Sequence, residues 1–385
     1  MKFASFALAA IGILGISRLA TAQSQQLVIH EWGTFTALQD ANGNAITNIN
    51  QDVERLPSFV KSLSPESDAK GLPPVPGITM RLETPVVYFH LPANSGPVRL
   101  TLSAEFHGGL LTQYYPDAKL VSVTDPKMMD SHTFGSLTWD NITVGTTVSG
   151  PETTSPIWLA PRKVDAANVT ATTGQSERYL FYRGVAHIDS PLKVIRRENT
   201  LRVAGQSGTR LEDLGAMAEK PVWLVDIRSD GKSAFRKMQV DNPLLCSAPP
   251  TSPAEFKPSD YSADRLTALR AEMKTSLVSA GLFEDEAAAM LNTWEQAYFK
   301  SPGTRVFFIV PRTWVDQTLP LRVSVPATIE RVMVGRIDLV TPKQRELAAR
   351  FLMTDLRGPI SMELGRFGQP IIEEEARLAK VQQQQ

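Results

Sequence analysis

The five histidines, His30, His90, His107, His132 and His187, all fall in the first half of a 385-residue chain. Three have an acid two positions away: Glu105/His107, Asp130/His132 and His187/Asp189. Residues i and i+2 of a strand share a face, so each pair offers a metal ion two ligands, or one ligand and its orienting carboxylate. On this reading His30, His107, His187 and Asp189 are candidate ligands of one divalent first-row metal ion, with His132 the weaker member in a loop-like segment. The plainer reading is a set of surface histidines with acids nearby.

A second chemistry needs no metal. Leu27 to Leu38 carries apolar and polar residues on both strand faces, as a central strand does, so Glu31 within it is expected to be buried. Glu83 sits in a similar setting. Two such carboxylates in a cleft form an acid/base pair, with Arg183 stabilising developing charge. The competing expectation is structural: Glu31 or Glu83 is neutralised by Arg183, Arg312 or Arg336 in a buried ion pair.

Several chemistries are excluded by spacing. His30-Glu31 begins like a zinc-protease helix, but position 34 is Thr34 rather than a second histidine. Gly231-Lys232-Ser233 lacks the upstream glycine of a phosphate loop, and no Gly-x-Ser-x-Gly elbow accompanies His107-Gly108-Gly109. Cys246, the single cysteine, lies in a proline-rich run without a neighbouring charge to stabilise a thiolate. Trp139 and Trp158, in polar and proline-rich surroundings, are the tryptophans best suited to stack on a ligand, although core packing is favoured for both.

The elements that must position these groups are mainly strands. Val98 to Phe106 alternates apolar and polar at every step, which predicts a strand with one solvated face. Pro85–Leu91, Lys119–Val123, Arg178–Arg183 and Pro221–Ile227 add further strands between turn-forming clusters. Pro243 to Pro258 holds five prolines in sixteen residues and reads as a linker. Beyond it Leu266, Leu269, Met273 and Leu277 follow helical spacing, with Gly281 and Leu282 as a helix stop. A second helix from Glu284 completes an αα-hairpin, strands return at 305–310, 319–325 and 331–340, and Thr341-Pro342 opens another helix. The fold class is therefore α+β, mainly β. A signal peptide at 1–22 precedes an antiparallel β-sandwich-like domain at 23–242 and a proline-rich linker at 243–260. A mixed region follows at 261–381, with a frayed tail at 382–385.

Lys2, the apolar run Phe3 to Ile16 and Ala20-Thr21-Ala22 make up the signal peptide, predicting a periplasmic or extracellular protein. No later apolar run is long enough to cross a bilayer as a helix, so no membrane insertion is expected after cleavage. The 40 basic and 40 acidic side chains balance, and the short basic patch at Arg196, Arg197 and Arg202 is interrupted by Glu198, so no nucleic-acid partner is expected.

Several segments resemble a family of uncharacterised, mostly exported bacterial proteins. They are His30-Glu31-Trp32-Gly33-Thr34-Phe35-Thr36, Leu82 to Phe89, Tyr182-Arg183-Gly184, Pro311-Arg312 and Arg331 to Arg336. The resemblance spans nearly the whole mature chain and implies no established activity; His90 stands where relatives often carry an aromatic. The leading expectation is an exported hydrolase of a polymer or ester, with a carboxylate or metal-assisted site on the β-rich domain. The alternatives are a non-catalytic envelope or ligand-binding protein, or a periplasmic metal-binding protein. The partner is an unidentified small molecule or polymer.

Overall fold

Alternation in the sequence becomes alternation in burial. In the strand Val98–His107, Leu100, Leu102, Ala104 and Phe106 are buried while the residues between them reach solvent. Leu27–Gln39, mixed on both faces, is buried on both. The computed structural model describes residues 26–49, 56–63, 77–122, 129–243, 248–354, 360 and 363–383. The expected signal peptide and Cys246 lie outside these residues.

In chain order the strands begin with β1 (Leu27–Gln39), β2 (Lys61–Ser62), β3 (Met80–His90), β4 (Val98–His107), β5 (Gly109–Tyr115), β6 (Lys119–Val121) and β7 (Phe134–Thr146). β8 (Asn168–Thr170), β9 (Ser176–Glu177), β10 (Leu180–Ala186), β11 (Leu192–Arg197), β12 (Thr200–Gly205), β13 (Val222–Ile227) and β14 (Ser233–Met238) follow. The last are β15 (Val240–Asp241), β16 (Ser252–Pro253), β17 (Gly303–Ile309), β18 (Leu321–Val323) and β19 (Ala327–Leu339). The helices are α1 (Pro156–Leu159), α2 (Leu211–Ala218), α3 (Asp264–Ser279), α4 (Glu284–Thr293), α5 (Arg312–Thr318), α6 (Pro342–Met353) and α7 (Gly368–Gln383).

A nine-stranded sheet in the order β14-β13-β17-β19-β1-β3-β10-β5-β2 forms the centre. Neighbours in it are antiparallel except β1 and β19, which run parallel from Leu27 opposite Ala327 to Gln39 opposite Leu339. One face, with Ile29, Phe35, Val87 and Tyr182, packs on a second sheet built around β4 and β7 through Leu102, Phe106 and Trp139. This is the expected β-sandwich. The other face, with Trp32, Tyr88, Phe181 and Phe307, is covered by α3, α4 and a π-helical turn at Glu295–Lys300 through Leu269, Met290, Trp294 and Tyr298. The result is an α+β fold, mainly β, with a C-terminal helical region.

The boundary expected at 243–260 does not separate two sheets. β13 and β14 lie before it and β17 and β19 after it, yet all four belong to the central sheet. The proline-rich run itself contributes β16, whose Ser252 and Pro253 pair with Leu201 and Thr200. The last helix, Gly368–Gln383, reaches into the region expected to be a frayed tail.

The turn of the αα-hairpin follows its sequence signal closely. Gly281 adopts φ +122°, its N–H donates to Val278 O, and the Leu282 N–H donates to Leu277 O at 3.2 Å. Those are the two bonds of a Schellman ending, which needs positive φ at the residue after the cap. This turn sets where α4 begins.

Candidate metal centre

His30 and His90 meet through strand register. Val28 pairs with His90 and His30 with Tyr88, so the histidines are diagonal neighbours on the helix-covered face of the sheet. Their ring centroids lie 5.1 Å apart. Glu286, at the third position of α4, supplies the third group, its Oε2 accepting the Phe283 N–H at 2.8 Å as in a capping box. The same oxygen lies 2.7 Å from His30 Nδ1, and Oε1 lies 2.9 Å from His90 Nε2. The Phe283 ring packs on both imidazoles, with centroids 4.5 and 4.8 Å away.

The site is nearly closed. Side-chain exposure is 0% for Glu286, 3% for His30 and 14% for His90, so His90 marks the side nearest solvent. Burial pushes the Glu286 carboxyl pKa up, but the hydrogen bonds from His30 and His90, the His30 charge and the Phe283 N–H outweigh it. The group is held below its ordinary value. An ionised carboxylate therefore stands between two imidazoles.

One ligand atom from each residue lies within 4.8 Å of the others, the one such histidine and carboxylate group among the described residues. Tetrahedral zinc, with bonds of about 2.0–2.2 Å, holds its donors roughly 3.4 Å apart. Two imidazoles and one carboxylate make a ligand set that first-row divalent ions accept, leaving a fourth position for water.

Of the residues expected to bind metal, only His30 belongs to this group. His107 is half exposed and faces Glu105 at 3.4 Å. His187 Nδ1 is 2.6 Å from Gly77 O, and Asp189 is exposed beside it. The i and i+2 pattern put His107 and His187 next to acids without turning either toward β1. The two residues the expectation missed are His90 and Glu286. His90 differs from its neighbours only in ending an apolar strand, and Glu286 is the last of three successive acids that read as ordinary helix-start charges.

The carboxylates expected to act together lie on opposite faces of the sheet. Glu31 points into the sandwich, accepting the Tyr182 hydroxyl and bonded to Arg331 Nε at 2.5 Å. Burial and then the Glu31 charge raise the Tyr182 pKa far above its ordinary value, which keeps the proton on the phenol. Glu83 points to the helix side, 2.9 Å from Arg81 Nε and 2.8 Å from Arg366 Nη2. Arg183 is buried and donates from Nε to Thr84 Oγ1 at 3.0 Å. Among the described residues, Arg331 pairs with Glu31, and Arg81 and Arg366 pair with Glu83, three cations the sequence expectation did not name. Trp139 and Trp158 are buried, with indole N–H groups donating to Pro116 O and Glu177. Neither ring presents a stacking surface.

No family model matches the chain, and no curated protein matches it. Among solved structures it is similar to the Fcho1 Mu homology domain of Danio rerio with bound Eps15 peptide. The identity is 9%, the match covers 83% of this chain and 98% of that one, and the TM-score is 0.32.

Proposed function

We propose that this is an exported metal-binding protein, in which His30, His90 and Glu286 hold one divalent first-row ion, zinc in the first instance. The observation that carries the reading is the convergence of three ligand-type side chains from β1, β3 and α4 within 4.8 Å. Export rests on the Lys2 to Ala22 pattern. Metal binding replaces two imidazole–carboxylate hydrogen bonds with coordinate bonds, so it is expected to release protons and stabilise the fold.

The carboxylate form of the hydrolase reading loses its support, because Glu31 and Glu83 are separated by the sheet and each is engaged by arginine. A metal-assisted hydrolase is the second reading. It is favoured by three protein ligands leaving a coordination position for water and by the partial exposure of His90.

Elemental analysis of the mature chain purified without chelators, followed by zinc titration, tests the proposal. One equivalent of bound metal is expected. Its absence at both stages would reduce the three residues to a hydrogen-bonded clamp between sheet and helix.

A further inference from the structure

A second polar centre lies far along the same sheet. Glu330 pairs with His30 and Asp338 with Leu38, so at about 3.3 Å per residue the two regions are separated by roughly 26 Å. Here three arginines converge. Arg305 donates from Nη1 to Ala297 O at 2.8 Å and from Nη2 to Ser301 O at 2.7 Å, satisfying carbonyls at the end of the π-helical turn. Arg336 forks onto Asp338 at 2.6 and 3.0 Å and also reaches Ala297 O. Arg366 gives Nη2 to Glu83.

Donors remain after these bonds are made. Among the described residues Arg366 Nε and Nη1 make no hydrogen bond, and Arg305 Nε has only a long ion pair to Asp338 Oδ1 at 3.5 Å, although the two side chains are only 8% and 1% exposed. A buried N–H without an acceptor is costly, and more so when it belongs to a cation. The same groups line a cavity of about 20 Å³ together with Arg336, Asp338, Gly303 and Phe367. Both oxygens of Asp338, the one acid lining that cavity among the described residues, are engaged by Arg336. Burial, reinforced by the facing Arg336, lowers the Arg305 pKa, as expected where guanidinium groups crowd together.

From this arrangement we infer that the cavity binds a single monatomic anion, chloride in practice, held by Arg366 Nε and Nη1 beside the Arg305 guanidinium. Size and charge together select the ligand. A cavity needs about 10–15 Å³ to hold one water-sized sphere, so 20 Å³ matches a single small ion. Three cations against two engaged carboxylates, Asp338 and Glu83, leave an excess of positive charge that favours an anion over neutral water. The cavity shares Pro302, Gly303, Thr304, Gln344 and Leu364 with an open cleft of about 1010 Å³, which supplies a route for exchange.

The test uses the full mature chain. Crystals soaked in sodium bromide are expected to show an anomalous peak in the cavity beside Arg366. In solution, chloride or bromide is expected to raise Tm by about 2–4 °C over gluconate at equal ionic strength. Arg366→Met should abolish that difference and Arg366→Lys should retain part of it. If the Met variant does not fold, the wild-type crystal still decides. A cavity without anomalous signal, or bromide found only on the cleft rim, overturns the inference. So does a Tm that is the same in halide and gluconate.

Discussion

Glu31 and Arg331 stand directly opposite each other across the parallel pair of β1 and β19, 300 positions apart in sequence and joined at 2.5 Å. Both side chains are essentially inaccessible, at 0% and 1%. Arg331 also reaches Asp316 at 2.9 Å, and Tyr182 caps the other Glu31 oxygen. Burial alone would lower the Arg331 pKa, but Glu31 outweighs it and keeps the guanidinium charged. The pair is structural, and the first prediction follows from it. Glu31→Gln should lower unfolding stability by about 3–5 kcal/mol, since it removes the buried partner of Arg331 and leaves only the half-exposed Asp316 to balance it. Urea denaturation reads this directly, and a loss under about 1 kcal/mol would show that the pair contributes little.

Metal loading should depend on each member of the His30, His90 and Glu286 group. His30→Ala and Glu286→Gln are expected to lower zinc affinity by at least about tenfold, whereas His107→Ala and His187→Ala should leave it unchanged. Competition with a chromogenic chelator separates the two sets. Zinc at 100 times its Kd should also add about 2.7 kcal/mol to wild-type stability. Equal affinity in all four variants would place the metal elsewhere.

The hairpin turn offers a test of positioning. At φ +122° Gly281 resists any side chain, and a Cβ there would sit 3.4 Å from a Glu330 carboxylate oxygen. Gly281→Ala is expected to cost about 1–2 kcal/mol. It should also weaken zinc binding, because the turn sets the start of the helix that carries Glu286. Stability lost with zinc affinity intact would mean that the first turn of α4 is placed by its packing on the sheet instead.

Acid sensitivity should be traceable in part to Asp338. Burial raises its pKa, but Arg336 and Arg305 outweigh burial and hold it below its ordinary value. The unfolded chain therefore takes up this proton at a higher pH than the folded one. The contribution is complete above the unfolded value of about 4 and is lost as the pH falls through the lower folded value. Asp338→Asn should be less stable at pH 7 and should lose less further stability than wild type below about pH 4. Chemical denaturation at several pH values checks the two slopes; parallel slopes would assign the acid sensitivity to other carboxylates.

Local patterns were legible where one element determines them. The alternation of Val98 to Phe106, the Gly281 turn and the Thr341-Pro342 helix start all depend on neighbours in sequence, and all are found as expected. Burial of Glu31 was legible from its apolar strand, but its partner was not. Arg331 becomes the partner only through the register of β1 against β19, and no spacing within either strand specifies that register. The convergence of His30, His90 and Glu286 was half legible for the same reason. His30 lies in a recognisable segment, whereas Glu286 is one of three consecutive acids and is selected by the direction in which the hairpin docks.

The parallel partnership of β1 and β19 bears on how the chain can be made. β1 is the first described strand to leave a ribosome or an export channel, yet one of its two hydrogen-bonding edges stays open until residue 339 has followed. Synthesis or secretion from the N-terminus thus delivers a long apolar strand hundreds of residues before the segment that covers it. Any product stopping short of Ala327 would carry that edge uncovered and invite pairing between chains. Completion of the central sheet is therefore tied to completion of the polypeptide, and shortened forms should be recovered as aggregates rather than as a smaller folded unit.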